Sequence, residues 1–332
     1  MKLDIIVPHY KEPWSTCQYL FESIAMQRNV PWDEVGVIVV NDGDDPTLDG
    51  RDWSVYPYNV RYLKKEHGGV SAARNYGVDH SDADYVMFCD IDDGFLNNYG
   101  LHMVLSAMDE DVDYVIGAFA EESLLPDKKT ITLVAHQHDL TFMHGKLYKR
   151  SFLTEYNLRF DEAMTAHEDG YFNMLVFITA KREGRSIRKI ETPFYLWCWN
   201  PNSVVRTVRE DFTLRTYDKL MLTRTGLCRE LKRRGYQEEY ERAVVMTVLN
   251  SYYDFQKPRY YLSQNQKYLK MAEKAFKDLY EEFYKVFLDQ TNDYVAKTAK
   301  TARETATMNG MLMEREDLKS FLKRINYEVK RQ

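Results

Sequence analysis

The chain has 332 residues, of which 44% are hydrophobic, and its formal net charge is −6 at pH 7. This length suits one large domain or two smaller ones, and the apolar content is sufficient for a core. The four cysteines form no Cys-x-x-Cys pair, which argues against a zinc ribbon or a thioredoxin-like site. No segment approaches the roughly 20 apolar residues that span a bilayer, and the first residues lack the apolar region of a signal peptide. The sequence therefore predicts a cytoplasmic protein with reduced thiols.

Apolar strands alternate with helical segments over residues 1–208, a pattern typical of an α/β domain. Strands are predicted, in chain order, at Leu3–Pro8, Glu34–Asn41, Val60–Lys64, Tyr85–Asp90, Tyr114–Ala120 and Ile187–Trp197. Helices are predicted at Trp14–Gln27, Val70–His80, Gly100–Met108, Lys149–Tyr156 and His167–Glu183. We therefore expect a sheet with helices on both faces.

Residues 209–332 have a helical pattern and predict a C-terminal helical subdomain. Apolar residues at three- and four-residue spacing predict one amphipathic face, made by Tyr268, Ala272, Phe276, Leu279, Phe283 and Phe287. Pro258 and Gly310 predict breaks between helices. From Phe255 to Gln332 there are 16 Lys and Arg against 11 Asp and Glu. Such a tail can bind an acceptor, mediate homo-oligomerisation or contact a membrane peripherally, and the sequence does not rank these roles.

The segment Asp84–Asp93 is an apolar run that ends in three carboxylates. It predicts a buried parallel strand whose acids emerge at its carboxyl end, where open α/β sheets bind ligands. If the strand continues, Asp90 and Asp92 project to the same side, about 7 Å apart. One carboxylate can then bind a sugar hydroxyl while the other binds a divalent cation. By itself, such a triplet is more often an ordinary solvated acidic turn.

Two further segments carry candidate donor contacts. Asp42 follows the second strand, where a carboxylate can accept the N–H of a nucleobase. Gly68 and Gly69 precede a small-residue helix, and Arg74 in its second turn can contact a base or a phosphate. The segment matches neither a P-loop nor a dinucleotide-binding pattern.

Two adjacent acids, Glu168 and Asp169, stand at the predicted start of a helix. Acids at this position are common for structural reasons, because they cap the helix and interact with its dipole. A partly buried acid that faces a metal site can instead remove a proton from an attacking hydroxyl.

Five ordered segments resemble the family 2 glycosyltransferases of GT-A fold. They are Ile6–Tyr10, Val40–Gly43, Gly68–Asn75, Asp90–Asp93 and Glu168–Asp169. The resemblance covers residues 1–208 and implies a GT-A fold, with a Rossmann-like, mixed and mostly parallel sheet. It also implies transfer of a sugar from a nucleotide diphosphate donor to an acceptor hydroxyl, with inversion at the anomeric carbon.

The resemblance also implies roles for individual residues in binding a donor, with a UDP-sugar favoured. It assigns Pro8 and Tyr10 to the nucleotide pocket, Asp42 to the base, Arg74 to the base or phosphates, Asp90 to the ribose, and Asp93 to the donor sugar or metal shell. Asp92 would ligate Mn²⁺ or Mg²⁺. Asp169 would be the catalytic base, oriented by Glu168.

The segment Pro193–Ser203 departs from many relatives, because it offers no histidine as a second metal ligand. Ser203 and Arg206 can still reach the diphosphate. Trp197, Trp199 and His144 are weaker candidates for acceptor contacts, since packing explains such residues equally well. The acceptor itself is left open: a glycan, a polymer, a lipid-linked carrier, a protein or a nucleic acid.

Alternative functions share parts of this pattern. A haloacid-dehalogenase-like phosphatase would use Asp90 as nucleophile with Asp92, but it normally begins with this strand and has a hydroxyl residue soon after it. A nucleotidyltransferase would need a glycine-rich, basic loop after the first strand, which is missing here. A non-catalytic nucleotide-sugar-binding module would not need Asp169.

Overall fold

The computed structural model describes residues 2–125, 127, 129–201, 203 and 209–329. The chain divides into two compact units, Met1–Pro201 and Asn202–Gln332. The division falls a few residues before the predicted boundary at 208/209, and residues 204–208 lie outside the described part of the chain.

In the first unit, nine strands among the described residues form one mixed sheet. They are β1 (Leu3–His9), β2 (Val35–Asp42), β3 (Asn59–Lys65), β4 (Tyr85–Phe88), β5 (Gly94–Phe95), β6 (Tyr114–Leu124), β7 (Ile131–His136), β8 (Lys146–Lys149) and β9 (Ile187–Trp197). Their order is β3-β2-β1-β4-β8-β6-β9-β5, and β7 pairs with β6. Strands β3, β2, β1 and β4 are parallel to one another, whereas β8 is antiparallel to both β4 and β6.

Five helices of the first unit connect these strands. They are α1 (Trp14–Ala25), α2 (Val70–Asp79), α3 (Gly100–Ala107), α4 (Arg150–Glu155) and α5 (Glu168–Arg182). Alternate residues of a strand face opposite sides of the sheet. Ile5 of β1 packs in one core cluster with Phe21 of α1, whereas a Cβ at Gly77 of α2 would lie 2.4 Å from Ile6. Helices α1 and α2 therefore cover opposite faces, as the GT-A fold requires.

The parallel part of the sheet positions the candidate site. Strands β1, β2 and β4 are buried on both faces and run in the same direction. Their carboxyl ends therefore meet at one edge. Tyr10 follows β1, Asp42 is the last residue of β2 and Asp90 follows β4, so the three predicted donor-binding segments lie side by side.

Two predictions about the strands need correction. Strand β4 ends at Phe88, two residues before the predicted end at Asp90, and a turn follows. Strands β5, β7 and β8 were not predicted from the sequence. Strand β5 has only two residues and gives no pattern, whereas β7 is an apolar run with β-branched residues that the sequence analysis missed.

The second unit is helical in its described residues. Its helices are α6 (Arg209–Arg215), α7 (Tyr217–Arg233), α8 (Gln237–Phe255), α9 (Pro258–Tyr261), α10 (Gln266–Asp289), α11 (Asn292–Met308) and α12 (Leu318–Val329). The predicted face of α10 is buried except at Tyr268, which is partly exposed. Pro258 begins α9, and Gly310 follows α11 with φ +89°, as the predicted breaks require. Within the described residues, every helix is too short or too polar to cross a bilayer.

Candidate active site

The acids after β4 form a turn and do not continue the strand. The backbone N–H of Asp93 donates to the carbonyl of Asp90 at 3.1 Å. The alternation of a strand therefore stops at Phe88, and the reason for predicting that Asp90 and Asp92 project together does not apply. Asp92 is partly exposed and accepts a hydrogen bond from Asn200 Nδ2 at 2.8 Å.

The turn places Asp93 in the interior. Its carboxylate accepts hydrogen bonds from Tyr195 Oη at 2.6 Å and from the backbone N–H of Cys198 at 2.9 Å. Burial raises the pKa of Asp93 well above its ordinary value, and the negative charges of Asp92 and Asp90 raise it further.

Asp90, Asp93 and His144 form a cluster that can hold a metal ion, which we call the carboxylate–histidine cluster. One potential ligand atom from each residue lies within 4.8 Å of the others. His144 Nδ1 is 3.6 Å from Asp93 Oδ2, and the imidazole ring is stacked on Phe142 and Tyr195. Two carboxylates and an imidazole are a suitable donor set for a divalent cation such as Mn²⁺. The residues present therefore fit the expected metal.

Arg74 is almost fully buried and joins acids from two segments. One guanidinium nitrogen, Nη2, donates to Asp90 at 2.9 Å, while Nη1 donates to Asp169 at 2.5 Å and to Glu168 at 3.3 Å. Desolvation of Asp90 raises its pKa, but the positive charge of Arg74 outweighs this effect. The pKa of Asp90 is therefore below its ordinary value. The resemblance implies that Arg74 contacts the base or phosphates of the donor. In the structure, its guanidinium donates hydrogen bonds to these three carboxylates.

Asp169 lies in the first turn of α5, as the sequence predicts. His167 precedes the helix and has a left-handed backbone conformation, with φ +63°. Asp169 Oδ2 accepts a hydrogen bond from the backbone N–H of Met143 at 3.2 Å, next to His144. Burial raises the pKa of Asp169 to about 7, although the Arg74 charge opposes the shift. A carboxylate with such a pKa is suited to accept a proton near neutral pH.

Asp42 shapes the loop at the end of β2. Its carboxylate accepts hydrogen bonds from the backbone N–H groups of Gly68 and Gly69, at 2.9 and 2.7 Å, and from Lys65 Nζ at 2.7 Å. Burial raises the pKa of Asp42, but these hydrogen bonds outweigh burial and lower it. His67 Nδ1 lies 2.8 Å from Asp42 Oδ2, so four groups surround the carboxylate, and the N–H of a base would have to share or replace one of them. Tyr10 is partly exposed beside this loop.

The other predicted contacts have separate positions. Pro8 lies near the end of β1, and Trp197 ends β9, with its ring 5.0 Å from that of His144. The backbone N–H of Trp199 donates to Glu122 at 2.6 Å. Ser203 is a partly exposed residue of the second unit. The predicted diphosphate contact of Arg206 lies outside the described residues.

Three site residues were missed from the sequence. Tyr195 contacts both Asp93 and the backbone N–H of Asp90, and Asn200 contacts Asp92. Lys146 is fully buried and donates to the carbonyl of His144 at 3.0 Å, and burial lowers its pKa to about 8. A buried lysine in β8 has no local sequence signal, since lysine is typical of exposed positions.

Comparisons with known proteins agree with this geometry. Residues 4–167 match the model of glycosyl transferase family 2. EpsJ of Bacillus subtilis (strain 168), described as an uncharacterized glycosyltransferase, is 26% identical over 224 residues, which cover 61% of this chain and 62% of EpsJ. The minor teichoic acid biosynthesis protein GgaB of the same organism is 30% identical over 185 residues, covering 50% of this chain and 20% of GgaB. The match therefore spans less than two thirds of either relative.

A crystal structure of S. aureus TarS, residues 1–349, in complex with UDP-GlcNAc has a similar fold. The TM-score is 0.61 at 18% identity, and the alignment covers 94% of this chain and 93% of that one. Together, the mixed sheet and this structural likeness define a GT-A fold. Residues 4–167 belong to glycosyl transferase family 2. Membership of this family argues against the phosphatase and nucleotidyltransferase alternatives.

Proposed function

We propose that this chain is an inverting, metal-dependent glycosyltransferase that transfers a sugar from a UDP-sugar to an acceptor hydroxyl. The observation that carries the proposal is the linkage, through Arg74, of the buried acid Asp169 to Asp90 of the carboxylate–histidine cluster. An acid suited to take a proton thus lies beside a cluster suited to hold a cation. The UDP-GlcNAc bound to TarS supports a uridine nucleotide as the donor.

The carboxylate–histidine cluster, Asp90, Asp93 and His144, would hold the cation. The imidazole favours Mn²⁺ over Mg²⁺, which prefers oxygen ligands. Asp92, the ligand implied by the resemblance, lies in the same turn and would complete the coordination directly or through water. When bound, the cation would neutralise the charge that develops on the departing diphosphate.

Asp169 would act as the general base. As the acceptor oxygen bonds to the anomeric carbon, its proton passes to Asp169, and the electrons of the breaking C–O bond go to the diphosphate. A single displacement from the side opposite the diphosphate inverts the anomeric carbon. Arg74 and the Met143 N–H hold the carboxylate in position, and Arg74 also favours its ionised, active form.

Tyr10 and Asp42 would bind the uracil. The Tyr10 ring is 41% exposed and is stacked on His67 at 4.3 Å between centroids, so its outer face can stack on the base. Asp42, kept ionised by Lys65 and the two glycines, would accept the N–H of the uracil edge.

Thermal stabilisation by a panel of nucleotide sugars tests the donor class. With Mn²⁺ present, UDP and a UDP-sugar should raise the melting temperature more than GDP- or TDP-sugars do, and chelation of the metal should remove the effect. Equal stabilisation by all nucleotides, or stabilisation that survives chelation, would contradict the proposed donor or the metal requirement.

A further inference from the structure

Four large apolar side chains lie exposed in the second unit. Leu262 follows α9, Met308 ends α11, and Leu312 and Met313 lie in the segment that leads to α12. Their exposed fractions are 64%, 87%, 83% and 65%, respectively. We call these four residues the apolar tip. Single exposed apolar residues are common, but a group of large ones at helix ends indicates an interaction surface.

Two contacts show that the segments of the apolar tip lie together. Arg259 of α9 donates to the backbone carbonyl of Asn309 at 3.5 Å. The guanidinium of Arg315 lies over the ring of Tyr261, 4.1 Å from its centroid. Leu262 adjoins Tyr261 in sequence, so it is held beside the 308–313 segment.

The rim of the apolar tip carries two exposed arginines. Within the described residues, no carboxylate lies within ion-pair distance of Arg259 or Arg315, and both side chains are exposed. Two nearby acids are in ion pairs, Glu314 with Arg303 at 3.0 Å and Glu316 with Arg324 at 2.9 Å, and the exposed Asp317 accepts a hydrogen bond from the Ser320 N–H at 3.0 Å.

We propose that the apolar tip inserts into the interfacial region of a membrane containing anionic phospholipids, with Arg259 and Arg315 against the lipid phosphates. Insertion removes the apolar side chains from water, and two flexible methionines adapt to an irregular lipid surface. Arginine binds phosphate oxygens in a two-pronged geometry, which complements the apolar contact. Apolar residues rimmed by cations are the pattern of proteins that lie on a membrane without crossing it.

A second copy of the chain fits this surface less well. A two-fold interface places the same patch on both partners. Where Arg259 or Arg315 lies near the two-fold axis, it would approach its own copy, and like charges across an interface are unfavourable.

Co-sedimentation of the full chain with lipid vesicles tests the proposal. Vesicles of phosphatidylglycerol and phosphatidylcholine in equal parts should bind the protein, and high salt should weaken this binding. The double variant Arg259→Gln/Arg315→Gln should bind about thirtyfold more weakly, as expected for two arginines at an anionic surface. The triple variant Met308→Ser/Leu312→Ser/Met313→Ser should bind at least about tenfold more weakly.

Matched controls separate the tip from general surface changes. Leu288→Ser removes an apolar side chain that is 57% exposed on α10, and Arg242→Gln removes an exposed arginine on α8. Both should bind vesicles as the unchanged protein does. Circular dichroism melting of every variant confirms that it is folded.

Three results would overturn the proposal. These are a failure of the unchanged protein to bind the anionic vesicles, binding by the triple variant as tight as that of the unchanged protein, and losses of binding in the control variants as large as those in the tip variants. Light scattering that shows a dimer, lost in the triple variant, would assign the tip to a second copy. Donor-induced stabilisation of the same variants should be unchanged, so failure here is distinguishable from failure of the proposed transferase function.

Discussion

Arg74 Nη1 lies 2.5 Å from Asp169 Oδ1, and Nη2 of the same guanidinium lies 2.9 Å from Asp90. One planar, rigid group therefore fixes the distance between the candidate base and the carboxylate–histidine cluster. Because Arg74 is buried, its charge is poorly screened by water and acts strongly on both acids.

Asp169→Asn is expected to lower turnover by a factor of roughly 10² to 10⁴, the usual effect of losing a general base. Donor affinity should change little, because the amide keeps the size of the side chain. Transfer or hydrolysis rates and calorimetric titration with UDP and Mn²⁺ measure the two quantities. Asp111→Asn, at an exposed position, is the matched control. A variant with normal turnover would remove Asp169 from its proposed role.

The rate should depend on pH through Asp169. The base acts when it is ionised, and its pKa is raised to about 7, so kcat/KM should rise about tenfold per pH unit below 7 and level off above it. A profile from pH 5 to 9, at pH values where the fold is intact, measures this limb. A flat profile across pH 7 would contradict the assignment.

Arg74→Lys keeps a positive charge but cannot contact three carboxylates with one fork. The ionised form of Asp169 is then less stabilised, so its pKa should rise and the pH limb should move upward by about one unit. A purely structural role for Arg74 would lower the rate without moving the limb.

Arg74→Met removes the charge and leaves Asp90, Glu168 and Asp169 together without compensation. Loss of one partner from a buried ionic network typically costs about 3–5 kcal/mol of folding stability. Denaturant unfolding of the two Arg74 variants measures the difference, with Arg74→Lys expected to retain more stability. Equal stability of the methionine variant and the unchanged protein would show that Arg74 does not hold these acids.

Metal binding should depend on the carboxylate–histidine cluster. Asp93→Asn and His144→Ala are each expected to weaken Mn²⁺-dependent UDP binding at least about tenfold. Asp92→Asn should also weaken it if Asp92 is a ligand, as the resemblance implies. Titration with UDP, in the presence and absence of Mn²⁺, measures the metal-dependent affinity of each variant. If only Asp92→Asn loses this affinity, the carboxylate–histidine cluster is excluded as the metal site.

The sequence predicts the parts of this molecule that depend on local patterns. The buried strands β1 and β2 and the apolar face of α10 are continuous or periodic, so their positions follow from the residues themselves. The start of α5 follows from its two acids. The order of the five matching segments along the chain then indicates the family.

Long-range contacts were not predictable. Arg74 meets Asp169 across 95 residues of sequence, and nothing near either residue indicates the pair. His144 reaches Asp93 from a turn that depends on Gly145, whose φ is +70° and whose missing side chain admits the carbonyl of Gly117. The turn at Asp90–Asp93 was not predictable either. Strand alternation gives the side-chain directions only within a strand, and β4 ends at Phe88.

The anomeric configuration of the released sugar tests the central claim most directly. In proton NMR of the chain with an α-linked UDP-sugar, Mn²⁺ and water or an acceptor hydroxyl, the first product should be the β-anomer, formed by one displacement assisted by Asp169. The α-anomer as first product would contradict that mechanism, and no release from any UDP-sugar would contradict the proposed donor.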